Sequence, residues 1–131
     1  MAKVNVVDDD SGVLSSLRFL LETEGFDVRT FRDGTTLLNT IEAGDADCYV
    51  IDYKMPNISG IDLSKCLRSR DISTPIILIT GYPDENISMK AAMAGIRYVL
   101  EKPHLEESLV TLVRDAIRNG PAITDSLGET T

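Results

Sequence analysis

Histidine and cysteine are nearly missing from this sequence, which holds one His, His104, and two Cys, Cys48 and Cys66, among 131 residues. Zinc centres draw on imidazole and thiolate ligands, so this supply argues against one. The two cysteines lie in separate apolar segments and read as small buried hydrophobes, not as a disulfide or a metal pair. Long apolar runs are absent too. None approaches the roughly 18 residues of a membrane span, and the N-terminus lacks a signal-peptide pattern. No membrane contact and a cytoplasmic location are therefore expected. Positive charge is in deficit, with 13 Lys and Arg against 21 Asp and Glu, a formal charge of −8. A surface of that sign repels a phosphate backbone, so no nucleic-acid binding by this domain is expected.

What is present suits a soluble globular protein, 43% hydrophobic and 26% charged, long enough for one domain with a substantial core. The apolar pattern switches repeatedly between short β-like runs and helical periods. Residues 4–7 form a β-rich run that stops at Asp8, Asp9 and Asp10. Val13, Leu14, Leu17, Leu20 and Leu21 then recur at helical spacing up to Gly25, a natural helix stop. Residues 26–31 read as a second strand, and 36–41 as a short helix ending near Gly44. Residues 48–51 give a third strand that stops at Asp52, and past the loop 53–57 a third helix carries Ile61, Leu63, Cys66 and Leu67. Residues 75–79 are continuously apolar, the pattern of a central parallel strand buried on both faces, and end at Thr80 and Gly81. A weak helix over 84–94 is stopped by Gly95, and a fifth strand over 98–100 ends at Glu101, Lys102 and Pro103. Leu105, Leu109, Leu112, Val113, Ala116 and Ile117 make the stripe of a final helix.

Strict strand–helix alternation predicts an α/β fold, a doubly wound five-stranded parallel sheet with helices on both faces. Residues 1–119 form its domain, and 120–131 a flexible tail or the start of a linker. Ligands of such sheets bind beyond the carboxyl ends of the strands. If strands one, three, four and five are neighbours, Asp8, Asp9, Asp10, Asp52, Thr80 and Lys102 converge at one rim. Two carboxylates about 4 Å apart repel by roughly 4 kcal/mol at an effective dielectric of 20, so a proton, a cation or Lys102 must offset the crowding. Carboxylate oxygens in small number suit magnesium. A carboxylate beside magnesium and an ammonium is a competent nucleophile toward phosphorus, and Asp52 is placed for that role. Thr80 could then hydrogen-bond a phosphoryl oxygen, with Gly81 leaving room. Taken singly the same residues have plainer roles: Asp10 or Ser11 as a helix cap, Asp52 as a loop acid, Lys102 as a solvated charge, His104 as a surface residue at a helix start. Their joint placement at successive strand ends favours the site.

Four motifs, Val6 to Asp10, Ile51 to Pro56, Ile79 to Gly81 and Glu101 to Pro103, together resemble the receiver domain of two-component response regulators, over roughly residues 3–119. The run of acids after the first strand and the Leu21 to Phe26 segment are similar to nitrogen-fixation-type regulators. The resemblance implies a flavodoxin-like fold with strand order 2-1-3-4-5. It implies Asp52 as phosphoacceptor, Asp9 and Asp52 as magnesium ligands, Asp8 as the acid holding metal-bound water, and the Lys54 carbonyl as a further ligand. Lys102 would contact the phosphoryl group, Thr80 would be the switch hydroxyl, and the Lys102–Pro103 peptide would be cis. The implied donor is a cognate sensor histidine kinase. The implied output is a homodimer or a downstream effector through helix four, strand five and helix five. Such a domain is a signalling phosphoacceptor with self-catalysed phosphoryl uptake and slow autodephosphorylation.

One departure stands out. The family's switch aromatic lies three residues before the lysine, where this chain has Val99, and strand alternation should turn the neighbouring Tyr98 to the opposite face. Tyr82 is then a candidate to cover the pocket. Helix four, anchored by few large apolar residues (Ile87, Met89 and Met93), is expected to be weakly held. Among rival functions, a magnesium-dependent aspartyl phosphatase would want a general acid where Lys54 stands. A flavodoxin would want a less acidic first loop.

Overall fold

Each apolar run becomes a strand and each 3.6-period stripe a helix. The computed structural model describes residues 1–40, 45–81, 85–102 and 106–120, in the order β1 (Lys3–Val7), α1 (Ser11–Thr23), β2 (Asp27–Phe31), α2 (Gly34–Asn39), β3 (Cys48–Asp52), α3 (Gly60–Ser69), β4 (Ile76–Thr80), α4 (Glu85–Met93), β5 (Tyr98–Glu101) and α5 (Glu106–Asn119). The strands form one sheet in the order β2-β1-β3-β4-β5, with every neighbouring pair parallel. This is the doubly wound order anticipated above. The strand order reverses at β1 and β3, where a ligand crevice belongs.

The sheet separates two cores. One face packs against α1 and α5 through Val4, Val6, Val50, Ile77 and Ile79 with Leu14, Leu17, Leu21, Leu109 and Val113. The other meets α2, α3 and α4 through Tyr49, Ile51 and Leu78 with Leu37, Leu63, Leu67, Ile87 and Ala91. Neighbouring residues along β4 therefore serve opposite cores, and all five are buried. Burying a side chain of that size is worth about 1.5–3 kcal/mol relative to exposure, so β4, like the equally buried β3, is heavily anchored.

The helix starts are set by caps. Asp10 caps α1 by accepting hydrogen bonds from the Gly12 and Val13 amides at 2.8 and 3.2 Å. Asp33 accepts from the Thr36 amide at 2.7 Å, so α2 begins two residues before the apolar pattern indicates. Gly25, with φ +95°, turns the chain out of α1 in the left-handed region that glycine tolerates best. The predicted helix end near Gly44, Asp84, Leu105 and the tail 121–131 lie outside the described residues. Cys48 and Cys66 are free thiols. Cys48 is buried, which pushes its thiol up to about 12, whereas Cys66 is only half-buried. Among the described residues no helix is long and apolar enough to cross a membrane.

Candidate functional site

Four strand ends, those of β1, β3, β4 and β5, carry acids or their partners to one rim. The β1–β2 ladder continues past its last pair through Asp8 N–H to Phe31 O at 3.1 Å, and the β3–β4 ladder through Tyr53 N–H to Ile79 O at 2.8 Å. Lys102 N–H donates to Thr80 O at 2.8 Å, which brings the end of β5 beside the end of β4. Asp8 and Asp52 are buried, Asp9 is exposed, and one carboxylate oxygen from each lies within 4.8 Å of the others. The Lys102 ammonium reaches across to Asp52 Oδ1 at 3.4 Å and Asp8 Oδ2 at 3.8 Å. Thr80 is buried at the end of β4, one position beyond the Asp52–Ile79 pair. Asp10, by contrast, is spent on the helix cap.

Crowding and burial set the electrostatics. Burial first, then the Asp8 carboxylate, push the Asp52 carboxyl up to about 6, with Lys102 pulling the other way. Asp8 is also raised, chiefly by burial, although the Asp10 amide hydrogen-bonded to its Oδ1 at 2.9 Å and Lys102 oppose the shift. Asp8 Oδ2 is buried and, among the described residues, accepts no hydrogen bond. The Lys102 ammonium, at 3.8 Å, is too far to hydrogen-bond it, and a buried oxygen short of a donor costs on the order of 1–3 kcal/mol. Three hard oxygen donors, one of them unsatisfied, fit a small divalent cation such as magnesium.

Comparison with known proteins identifies the architecture. The family profile described as "Response regulator receiver domain" matches residues 4–114. The chain belongs to this family. The transcriptional regulatory protein FixJ of Bradyrhizobium diazoefficiens is 34% identical over 115 residues, covering 88% of this chain and 56% of FixJ. The receiver domain of Francisella response regulator 1452 superposes with a TM-score of 0.85 at 29% identity, over 91% of this chain and 98% of that one. TrrA of Thermotoga maritima, solved in complex with Mg(2+)-BeF, gives a TM-score of 0.79 at 26% identity, over 88% and 99% of the two chains. The chain spans about half the length of the curated relatives it matches, 56% of FixJ and 52% of TodT. Receiver domains of this family are phosphorylated on an aspartate and bind magnesium at an acidic site.

Within this receiver domain, Asp8, Asp9, Asp52 and Lys102 come together as anticipated, and Thr80 sits beside them on β4. Lys54 lies in the loop two residues after Asp52, with its side chain exposed. Tyr98 faces the α1–α5 core, and its hydroxyl accepts a hydrogen bond from Asn119 Nδ2 at 3.0 Å, while Val99 packs on the opposite core. The β4–β5 register runs unbroken through both residues, so no bulge turns Tyr98 toward the site. Tyr82, Pro103, with its anticipated cis bond, and His104 lie outside the described residues.

Gly60 is a residue the sequence reading missed. A Cβ at this position would lie 2.3 Å from the Asp52 carbonyl oxygen and 2.9 Å from Leu78 Cδ1. Its amide also donates to Tyr53 O at 2.8 Å. The first turn of α3 is thus seated directly under the backbone of Asp52, a closeness only glycine permits. Asn57 makes the turn into α3 with φ +73°, a conformation asparagine tolerates. Its place in a Pro-Asn pair was the available signal for the turn.

Proposed function

We propose that Asp52 is the phosphoryl acceptor of this receiver domain and that a cognate sensor histidine kinase is its donor. The observation that carries the reading is the convergence of Asp8, Asp9, Asp52 and Lys102 at one rim, with a buried Asp8 oxygen that accepts no hydrogen bond among the described residues. An Asp52 carboxylate oxygen attacks phosphorus, the bond from phosphorus to the donor's leaving atom breaks, and an aspartyl phosphate remains. Lys102 stands where negative charge on the phosphoryl oxygens accumulates, and Thr80 offers its hydroxyl to one of them. Asp8, Asp9, Asp52 and the Lys54 carbonyl would hold Mg2+, which supplies neutralising charge to the same oxygens. The Mg(2+)-BeF complex of TrrA, a neighbour of the same fold, supports this ligand class.

Uptake is self-catalysed from a small phosphodonor, and loss by autodephosphorylation is slow. The added charge, about −1.5 to −2 for a side-chain phosphate, draws Thr80 inward and alters the face formed by α4, β5 and α5, where a homodimer or downstream effector is read out. A depression lined by Leu100, Ser108, Thr111 and Leu112 lies on that face. Residues 1–119 constitute the domain, acting in the cytoplasm, with 120–131 as tail or linker. A chain ended at residue 119 should keep its melting temperature, and a loss of several degrees would move the boundary. The functional test is incubation with acetyl phosphate and magnesium, read by intact mass. One phosphoryl group should be gained, and none by Asp52→Asn or without the metal. Equal labelling of Asp52→Asn would overturn the assignment.

A further inference from the structure

A concavity of about 390 Å3 lies between α3 and α4, lined by none of the site carboxylates. Tyr53, Ile61 and Met93 give it apolar lining, and Asp62, Lys65 and Lys90 border it. Two features mark this groove. Met93 is 79% exposed and Met89, one turn earlier on α4, is 64% exposed. Large apolar side chains that adjoin a groove mark a contact surface more strongly than the same residues scattered singly, and thioethers adapt to varied partners. The second feature is charge. Lys65 on α3 and Lys90 on α4 have no ion-pair partner among the described residues, although acids outnumber bases by 21 to 13 in the whole chain. Two cations border an apolar groove in an otherwise acidic molecule, with Asp62 as the one opposing charge among the described lining residues.

We propose that the α3–α4 groove binds an acidic, amphipathic helical segment of a partner protein. The segment's apolar stripe would cover Tyr53, Ile61 and Met93, and its carboxylates would meet Lys65 and Lys90, a helix-in-groove mode of recognition. Charge complementarity selects this occupant. A basic segment would set its cations against both lysines, whereas the carboxylates of an acidic one meet them locally at the groove's border. A nucleic acid would gain the lysines but would leave the apolar lining unused.

The probe is a short fluorescein-labelled peptide with leucine at positions i, i+3, i+4 and i+7 and glutamate between them. It is titrated into the full chain by anisotropy, beside a counterpart with lysine for every glutamate. The glutamate peptide should bind about tenfold or more tighter than its counterpart, a difference of the size expected from placing like against unlike charge. The double variant Lys65→Glu, Lys90→Glu should reverse that order, and Met93→Ser should weaken the glutamate peptide several-fold. Both variants should keep the wild-type circular dichroism and melting temperature, because all three positions are exposed. Amide shifts should cluster on Tyr53, Ile61 and Met93. Absence of binding, equal affinity for the two peptides, or an unchanged affinity in the charge-reversed chain would overturn the proposal. Self-association abolished by the same charge reversal would also overturn it, because the occupant would then be a second copy.

Discussion

Because the Asp52 carboxyl sits near 6 in the fold against an ordinary 3.8, the native chain holds a proton that the unfolded chain has already released over that interval. Native stability therefore falls as pH rises from about 4 to about 6 and levels off above, and the raised Asp8 adds in the same direction. A shift of this size corresponds to a cost on the order of 2–3 kcal/mol at neutral pH. In the absence of divalent cations the chain should melt several degrees higher at pH 5 than at pH 7. Asp52→Asn should remove most of that slope and raise the melting temperature at pH 7, whereas a wild-type slope in the variant would locate the strain elsewhere. Gly60 yields a second prediction. Gly60→Ala forces a methyl against the Asp52 carbonyl and Leu78, so it should cost about 1–3 kcal/mol in urea unfolding and slow phosphoryl uptake as well. Normal uptake by the variant would show that the seat under Asp52 does not tune the site. The contrast between these residues explains what was legible. Asp8, Asp52 and Lys102 announce themselves because each ends an apolar run. Gly60 does not, because its constraint arises only once α3 folds back against the Asp52 carbonyl and Leu78.

Among the helices, α4 is the one whose hold on the fold differs most from its sequence. Ile87 is buried, as anticipated, but Met89 and Met93 are exposed and anchor nothing. The small residues Ala91 and Ala94, with Ile96, take their place. An apolar pattern cannot say which methionines of a short helix point inward when alanines can pack closer to the sheet. The far end of α4 is secured differently. Arg68 on α3 donates to Gly95 O at 2.7 Å and to Ile72 O and Thr74 O at 2.8 Å, binding the exit of α4 to the entry of β4. α1 is better held, with Leu14, Leu17 and Leu21 in the core and Glu24, just past its end, paired to Arg114 of α5 at 2.9 Å. Phosphorylation should therefore change amide exchange several-fold more in α4 than in α1. Equal changes in the two helices would contradict this. The element boundaries missed by the sequence reading, such as the start of α2, trace to caps. Asp33 satisfies the first turn before any apolar residue appears.

At the scale of the molecule, strand order does what no single motif could. Placing β1 between β2 and β3 brings Asp8 and Asp52 together across neighbouring strands, and β4 and β5 complete the rim with Thr80 and Lys102. Alternation of strands and helices made that layout readable in advance, and the resemblance supplied the order. The relay from the site to the surface was less readable, because it depends on facing. Val99 and Tyr98 divide between the two cores, so the aromatic on β5 is tied to Asn119 of α5 and turned away from the site. All of this rests on Asp52 being the residue that takes the phosphoryl group. The most direct measurement is to treat the chain with acetyl phosphate and magnesium, reduce it with borohydride, which converts an aspartyl phosphate to homoserine, and map the peptides by mass. Homoserine at position 52 alone is the predicted result. Homoserine at Asp8 or Asp9, or at no position, would contradict it.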